Sequence, residues 1–117
     1  MAGIEREATR TKSKEEGKMR IYISGAITGQ ETTARKRFDK AAEYLGRMHP
    51  EAEMINPYLV GNAADCMAAL ERNDYMHICY ALMDLCDAVY FIPGWENSLG
   101  CQQEKIYATN RNMKVIE

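Results

Sequence analysis

The sequence has almost no excess of charge of either sign. Its 117 residues include 15 Lys and Arg against 17 Asp and Glu, a formal net charge of -2 at pH 7. A nucleic-acid-binding domain usually carries a clear basic excess, so this balance argues against DNA or RNA as the partner. It does not argue against a single small anion held by local groups.

Paired metal ligands are also lacking. None of the four cysteines belongs to a CxxC pair, and His49 and His77 lie far from any paired-ligand spacing. A zinc site is therefore not expected. Three of the cysteines lie in apolar helical stretches, where a free thiol packs as a small hydrophobic group. Buried, reduced thiols are typical of cytoplasmic proteins.

Long apolar segments are missing as well. No stretch reaches the roughly 18 apolar residues that a membrane span needs. The N-terminus has no apolar run behind its charges, so no signal peptide is predicted. We therefore expect no membrane association and a cytoplasmic location.

The domain organisation follows from composition and length. Residues 1–18 are highly polar and contain no aromatic residue, which predicts a disordered N-terminal tail. Residues 19–117 fit one domain and are too few for two.

Within this domain, short β-rich runs alternate with helical patterns. The apolar run AVYFI at 88–92 is typical of a central parallel strand that is covered on both faces. Alternation of this kind predicts an α/β protein with a parallel, doubly wound sheet. Strands are predicted at 20–24, 53–56, 88–92 and 113–116, and helices at 34–48, at 62–85 with a break near residues 73 and 74, and at 99–109.

In such a sheet, ligands bind outside the carboxyl ends of the strands, near the point where the strand order reverses. The loop SGAITG follows the first predicted strand and has small residues where a ligand can approach the backbone. It is neither a GxGxxG fingerprint nor a Walker loop, and an ordinary tight turn is an equal interpretation. Asn56, after the second strand, is a further candidate. The loop's candidate residues are Ser24, Gly25, Ala26, Ile27 and Gly29.

The segment PGWENSLGCQQE follows the third predicted strand and has Gly94 and Trp95 in its loop part. Ser98 is placed as a helix N-cap, and its hydroxyl can also hold a phosphate. Helix spacing places Gly100 and Glu104 on one face, which leaves room beside the carboxylate. The commoner fate of a glutamate is an exposed helix surface. Trp95 is interpreted either as a lid that stacks on a base or as a packing residue.

Two other side chains can contribute chemistry. Asp74 is a second carboxylate, for which helix capping is the alternative interpretation. Tyr22 lies on a strand that is predicted to be buried on both faces, so its hydroxyl needs a partner, and a carboxylate would serve.

The runs RIYISGAITG and CDAVYFIPGWENSLG resemble the nucleoside 2-deoxyribosyltransferase-like proteins, most closely their small uncharacterised branch, over residues 19–117. The resemblance implies a flavodoxin-like or Rossmann-like three-layer sandwich with about four strands in the order 2-1-3-4. It implies neither a metal nor another cofactor. It also implies a homo-oligomer, a dimer or a tetramer, in which a neighbouring subunit helps complete the pocket.

The resemblance further implies roles for three residues. Glu104 matches the nucleophile that attacks C1′ of the sugar, Tyr22 the residue that orients it, and Asp74 the residue that assists the departing base. Ser98 stands where base-exchanging transferases have Asp and where deoxynucleoside monophosphate hydrolases have Ser. This difference favours nucleotide hydrolysis.

The expected function is therefore cleavage or transfer of an N-glycosidic bond on a nucleoside or nucleoside 5′-monophosphate, through a glycosyl intermediate on Glu104. One alternative is a catalytically weak protein that binds a nucleotide or an ADP-ribose-type ligand in the same pocket. A purely structural oligomer is the other. Three features depart from the family pattern, namely the Gln102-Gln103 pair, the longer PGWEN loop and the lack of a fifth strand.

Overall fold

A computed structural model describes residues 18–26, 31–57 and 72–116 of the chain. Predictions for residues 1–17, for Ile27 and Gly29, and for the helix between residues 62 and 71 lie outside this part. Within it, no helix is both long and apolar enough to cross a membrane. The elements are the strands β1 (Arg20–Ser24), β2 (Glu53–Ile55), β3 (Ala88–Phe91) and β4 (Lys114–Ile116), and the helices α1 (Glu31–Met48), α2 (Arg72–Asp84) and α3 (Leu99–Asn110).

The four strands form one parallel sheet in the order β2-β1-β3-β4. Strand β1 lies inside the sheet, with Tyr22 opposite Ile55 of β2 and Val89 of β3. The ladder between β1 and β3 extends to Ser24 and Phe91, at the carboxyl ends of both strands. The predicted α/β class and strand order are confirmed.

Two apolar cores lie on opposite faces of the sheet. Side chains alternate along a strand, so Ile21 and Ile23 face one side and Tyr22 the other. The two isoleucines pack with Phe38 of α1. Tyr22 packs in a second cluster to which α2 contributes Cys79 and Met83, and α3 contributes Ala108. The architecture is therefore a three-layer sandwich, with α1 on one face and α2 and α3 on the other.

A polar contact joins α2 and α3 at the ends of the two helices. The Tyr107 hydroxyl donates to Asp84 Oδ1 at 2.8 Å, and Arg111 Nη1 lies 3.0 Å from the same oxygen. The rings of Tyr80 and Tyr107 stack at 4.2 Å between centroids. The two tyrosines thus pack α2 against α3.

Several element boundaries differ from the predictions. Helix α1 begins at Glu31, three residues before the predicted start, and its apolar last residue, Met48, is exposed. As the last residue of the helix, Met48 has no following turn to cover it. Helix α2 begins at Arg72, directly after residues that lie outside the described part, so the break predicted near Asn73 and Asp74 stays a prediction. Strands β2 and β3 each end one residue earlier than predicted, and β4 begins one residue later.

We expect Gly25→Ala to destabilise the protein, because Gly25 lies tightly against the α1 face of the sheet. A methyl group there would lie 2.7 Å from Ile92 Cδ1 and 3.1 Å from Phe38 Cζ. Overpacking of this kind costs about 1–3 kcal/mol. Urea unfolding followed by circular dichroism measures the change.

Gly46→Ala is the matched control. Its methyl group would meet nothing nearer than Met54 Cε, at 3.8 Å. Since alanine is the better helix former, this variant should gain roughly 0.5–1 kcal/mol. Wild-type stability in Gly25→Ala would contradict the packing argument.

Candidate functional site

A cavity of about 300 Å³ lies at the carboxyl edge of the sheet. Gly25 and Ala26 line it after β1, Pro57 lines it after β2, and residues 97–101 line it after β3. The chain passes from β1 to β2 on one side and later to β3 on the other, so the strand order reverses beside β1. Ligands of α/β sheets bind at such a point.

The Glu104 carboxylate lies in the wall of this cavity and is held from both sides. Glu104 is 6% exposed. The Tyr22 hydroxyl donates to its Oε2 at 2.6 Å, and the Ser24 hydroxyl donates to its Oε1 at 2.6 Å. Hydrogen bonds to an ionised acceptor are short and strong, so the carboxylate has one well-defined orientation.

The contact of Glu104 with Tyr22 and Ser24 follows from the side-chain periodicity of β1 and of α3. Tyr22 and Ser24 are two residues apart on β1 and therefore point to the same face of the sheet. The buried residues of α3 are Cys101, Glu104 and Ala108, which recur at three- and four-residue steps. Helix α3 thus turns Glu104 toward the two hydroxyls of β1.

Comparison with known protein families gives one match. Residues 19–117 match the profile of a family described as a domain of unknown function, DUF4406. The chain belongs to this family. No curated protein and no solved structure matches significantly. What the DUF4406 site does must therefore be argued from its own residues.

Burial sets the electrostatics of this DUF4406 site. Loss of solvent raises the pKa of Glu104 above its ordinary 4.5, and hydrogen bonds from Ser24, Tyr22 and Cys79 act in the opposite direction. Burial also raises the pKa of Tyr22 well above 10, and the nearby Glu104 charge raises it further. Tyr22 therefore remains a neutral hydrogen-bond donor at any working pH.

Four other candidates from the sequence lie at the same cavity: Gly25, Ala26, Ser98 and Gly100. The predicted N-cap is confirmed, since the Ser98 hydroxyl accepts a hydrogen bond from the Cys101 amide at 3.3 Å. Ser24 was expected to bind substrate, but it is fully buried and its hydroxyl points to Glu104.

Asp74 and Asn56 are not among the described residues that line the cavity. Asp74 lies in the first turn of α2 with its side chain exposed, whereas Tyr75 and Met76, which follow it, are in the cavity wall. Tyr22, Ser98 and Glu104 therefore line the cavity together, and Asp74 does not. A catalytic role for Asp74 stays a prediction.

Gly94 and Trp95 also lie apart from the described cavity wall. Gly94 has a φ of 96° and precedes a short 3-10 turn, which explains a glycine at this position. The Trp95 ring packs against Phe91 at 5.0 Å between centroids, and Lys105 Nζ lies 5.5 Å from the Trp95 centroid. These contacts favour the packing interpretation of Trp95.

Sequence reasoning missed the three wall residues from α2, which are Tyr75, Met76 and Cys79. Tyr75 was not singled out, and Cys79 was interpreted only as a small core residue. Burial raises the pKa of the Cys79 thiol to about 11. The four-residue spacing of Tyr75 and Cys79, which places both on one face of the helix, was the available signal.

The described part of the site offers a carboxylate, hydroxyls, a thiol and backbone amides. Across residues 18–26, 31–57 and 72–116, no three His, Cys, Asp or Glu side chains are grouped so that they could hold a metal ion. A buried carboxylate in such surroundings can stabilise a positive charge on a ligand or attack an electrophilic carbon.

Glu104→Gln should stabilise the folded protein at neutral pH. The pKa of Glu104 is higher in the folded state than in the unfolded state. Between these two values the folded state binds more protons, so wild-type stability falls as pH rises through that window. The uncharged amide avoids this loss. For a domain of this size, each kcal/mol raises Tm by roughly 4–8 °C.

Thermal unfolding of both proteins between pH 4 and pH 8 tests this expectation. The difference in Tm should be largest at the neutral end and should narrow toward pH 4. Glu96→Gln alters an exposed side chain nearby and should leave Tm unchanged. A Glu104→Gln advantage that grows toward acid would refute the sign of the argument.

Proposed function

We propose that this protein cleaves or transfers the N-glycosidic bond of a nucleoside or nucleoside 5′-monophosphate, with Glu104 as the nucleophile. The observation that carries the proposal is the buried Glu104 carboxylate, held by Tyr22 and Ser24 in the wall of a cavity at the carboxyl edge of the sheet. The resemblance of RIYISGAITG and CDAVYFIPGWENSLG to the nucleoside 2-deoxyribosyltransferase-like proteins supports the same chemistry.

The reaction needs an anionic group close to C1′. As the bond between C1′ and the base nitrogen breaks, its electron pair leaves with the base and positive charge develops on the sugar. A Glu104 oxygen stabilises this charge and forms an ester bond to C1′. The base takes up a proton as it departs. Water, or a second base, then attacks C1′ and releases the carboxylate, with net retention of configuration.

Tyr22 and Ser24 have two tasks in this mechanism. Their hydrogen bonds orient the carboxylate, so that less freedom is lost when the substrate reaches the geometry for attack. They also favour the ionised form of Glu104, which burial disfavours. These hydrogen bonds thus oppose the effect of burial, which raises the pKa of the proposed nucleophile.

The side of the cavity at the start of α3 suits the 5′ end of the substrate. Ser98, Leu99 and Gly100 line it, and the free amides of a helix N-terminus favour anions. A neutral Ser98 does not repel a phosphate as an aspartate would. The volume of about 300 Å³ lies at the lower end of the range for small-molecule sites. We infer that a monophosphate fits better than a longer phosphate chain.

The side formed by α2 is proposed to receive the base. Tyr75, Met76 and Pro57 give it an aromatic and apolar surface. Asp74, beside Tyr75 in the first turn of α2, remains the proposed acid for the leaving base. Its exposed position means that it would have to reach a base bound at the outer end of the cavity.

A second subunit and a cytoplasmic location complete the proposal. Leu99 and Ile106 of α3 are apolar yet 59% and 61% exposed, and Leu99 also lines the cavity. Contact with another copy along this surface would cover both side chains and close one side of the site. We therefore infer a homo-oligomer.

A second candidate function is binding of a nucleotide or an ADP-ribose-type ligand with little turnover. The exposed position of Asp74, outside the described cavity wall, favours it. In that case Glu104 accepts a hydrogen bond from a sugar hydroxyl. A panel of ribo- and deoxyribonucleotides separates the two functions. Tight binding with no free base released would favour binding alone.

Glu104→Ala should abolish release of free base, because no other described group can take the place of the carboxylate at C1′. Losses of about 10⁴-fold or more are typical when a nucleophile is removed. Chromatography of the free base measures the rate, and mass spectrometry of quenched wild-type protein detects the glycosyl ester. Glu96→Gln should retain the wild-type rate. Full activity in Glu104→Ala would remove this mechanism.

Ser98→Asp should discriminate against a 5′-phosphate. Aspartate caps a helix as well as serine does, so α3 should remain intact, while the added charge repels the phosphate. We expect kcat/KM for a monophosphate to fall about tenfold relative to the corresponding nucleoside, which equals about 1.4 kcal/mol. Ser98→Asn, a cap without charge, is the control. Equal losses for both substrates would argue against a phosphate beside Ser98.

A further inference from the structure

Cys79 of α2 lies in the same cavity wall as Glu104, the proposed nucleophile. Tyr75 and Cys79 are four residues apart, so they share the face of α2 that forms the cavity wall. Cys79 is 2% exposed and packs with Tyr22 in the apolar cluster on this side of the sheet. The Tyr22 hydroxyl binds Glu104, so the thiol lies beside the pair, and it is electrostatically coupled to Tyr22, Tyr75 and Glu104.

The available protons determine which hydrogen bonds these side chains can share. Tyr22 has one hydroxyl proton, which it donates to Glu104 at 2.6 Å. The carboxylate can only accept, so the thiol proton of Cys79 is free to be donated to it. The sulfur could then accept from Tyr75, whose hydroxyl donates to the Pro57 carbonyl over a long 3.4 Å in this structure.

We propose that Cys79 is a third positioning residue for Glu104, and that Tyr75, Cys79 and Glu104 form a hydrogen-bonded chain from the cavity wall to the nucleophile. Its catalytic part rests on the proposed function, whereas the coupling of Cys79 to Glu104 does not. Cys79 acts through Glu104 and is not itself a nucleophile, because its buried thiol stays protonated at neutral pH.

The direction of the coupling follows from the hydrogen bond. A donor to the ionised carboxylate lowers the pKa of Glu104, and burial acts in the opposite direction. Loss of the donor should therefore raise the pKa further and reduce the ionised fraction. The titratable or charged side chains that act on Glu104 or on its thiol neighbours are Tyr22 of β1, Tyr75 and Cys79 of α2, Cys101 of α3 and Arg37 of α1.

Cys86 provides a matched control in the same apolar cluster. It is 1% exposed, and its thiol donates to the Leu82 carbonyl at 3.3 Å. Replacement of either cysteine by alanine removes a buried sulfur and should reduce stability by a similar amount. If Cys79 were only a core residue, the two variants would behave alike in every measurement.

The experiment compares Cys79→Ala, Cys79→Ser and Cys86→Ala in the full chain. Carboxyl ¹³C NMR of the ligand-free proteins gives the pKa of Glu104, and base release across pH gives kcat and KM. Cys79→Ala should raise the Glu104 pKa and move the acid limb of the rate profile to higher pH. We expect kcat to fall roughly tenfold with little change in KM, less than the hundredfold loss that a 1 Å displacement causes. Cys79→Ser, which keeps a donor, should restore both values.

If Cys79→Ala does not fold, a second pair of variants tests the proposed hydrogen bonds between Tyr75, Cys79 and Glu104. Tyr75→Phe removes the donor to the sulfur and should shift the Glu104 pKa upward, but less than Cys79→Ala. Tyr80→Phe, on the same helix but outside the described cavity wall, should leave the pKa unchanged.

The outcomes separate this inference from the proposed function. An unchanged Glu104 pKa in Cys79→Ala and Tyr75→Phe would overturn the inference, whatever the rate of base release. Equal effects of Cys79→Ala and Cys86→Ala on that pKa would overturn it as well. Absence of base release by the wild-type protein would refute the proposed function, while the NMR titration would still decide the coupling.

Discussion

The burial of one carboxylate determines how this side of the molecule is built. Removing an ionised group from water is unfavourable unless hydrogen bonds replace its hydration. For Glu104 these bonds come from Tyr22 and Ser24, two residues of the same strand. A β-strand is suited to this task because side chains two positions apart project side by side. The central strand of the sheet therefore supports the site as well as the fold.

The two faces of the sheet differ accordingly. The face covered by α1 is apolar, and its strand side chains are those of a simple core. The face covered by α2 and α3 combines an apolar cluster with hydroxyls, thiols and the buried glutamate. Rigid packing on the first face holds β1 in place, which fixes the donors that the second face requires. Among the described residues, the buried serine and the buried glutamate, Ser24 and Glu104, thus lie on the side of the cavity.

Local patterns predicted the elements and the parallel sheet but only part of the site, and the strand order was expected from family resemblance. Apolar runs and their spacing predicted the strands, the helices and the parallel sheet, while the position of Ser98 predicted its cap. The pair of Tyr22 and Glu104 was expected from family resemblance. Ser24 and Glu104 are 80 residues apart, and no local pattern specifies how α3 is rotated above β1. Cys79 was missed for the same reason, because a buried cysteine has the same local pattern in a plain core.

The contacts of Asp84 affect the spacing between Cys79 and Glu104, although Asp84 is not among the described residues of the cavity wall. Sliding of α2 along α3 would break the hydrogen bond from Tyr107 and the ion pair with Arg111 together. These two contacts therefore keep the helices in axial alignment. Cys79 and Glu104 are carried by the same two helices, so the spacing between thiol and carboxylate depends on an anchor outside the described cavity wall. A change at Asp84 would therefore disturb the Glu104 carboxylate without altering any described residue of the cavity wall.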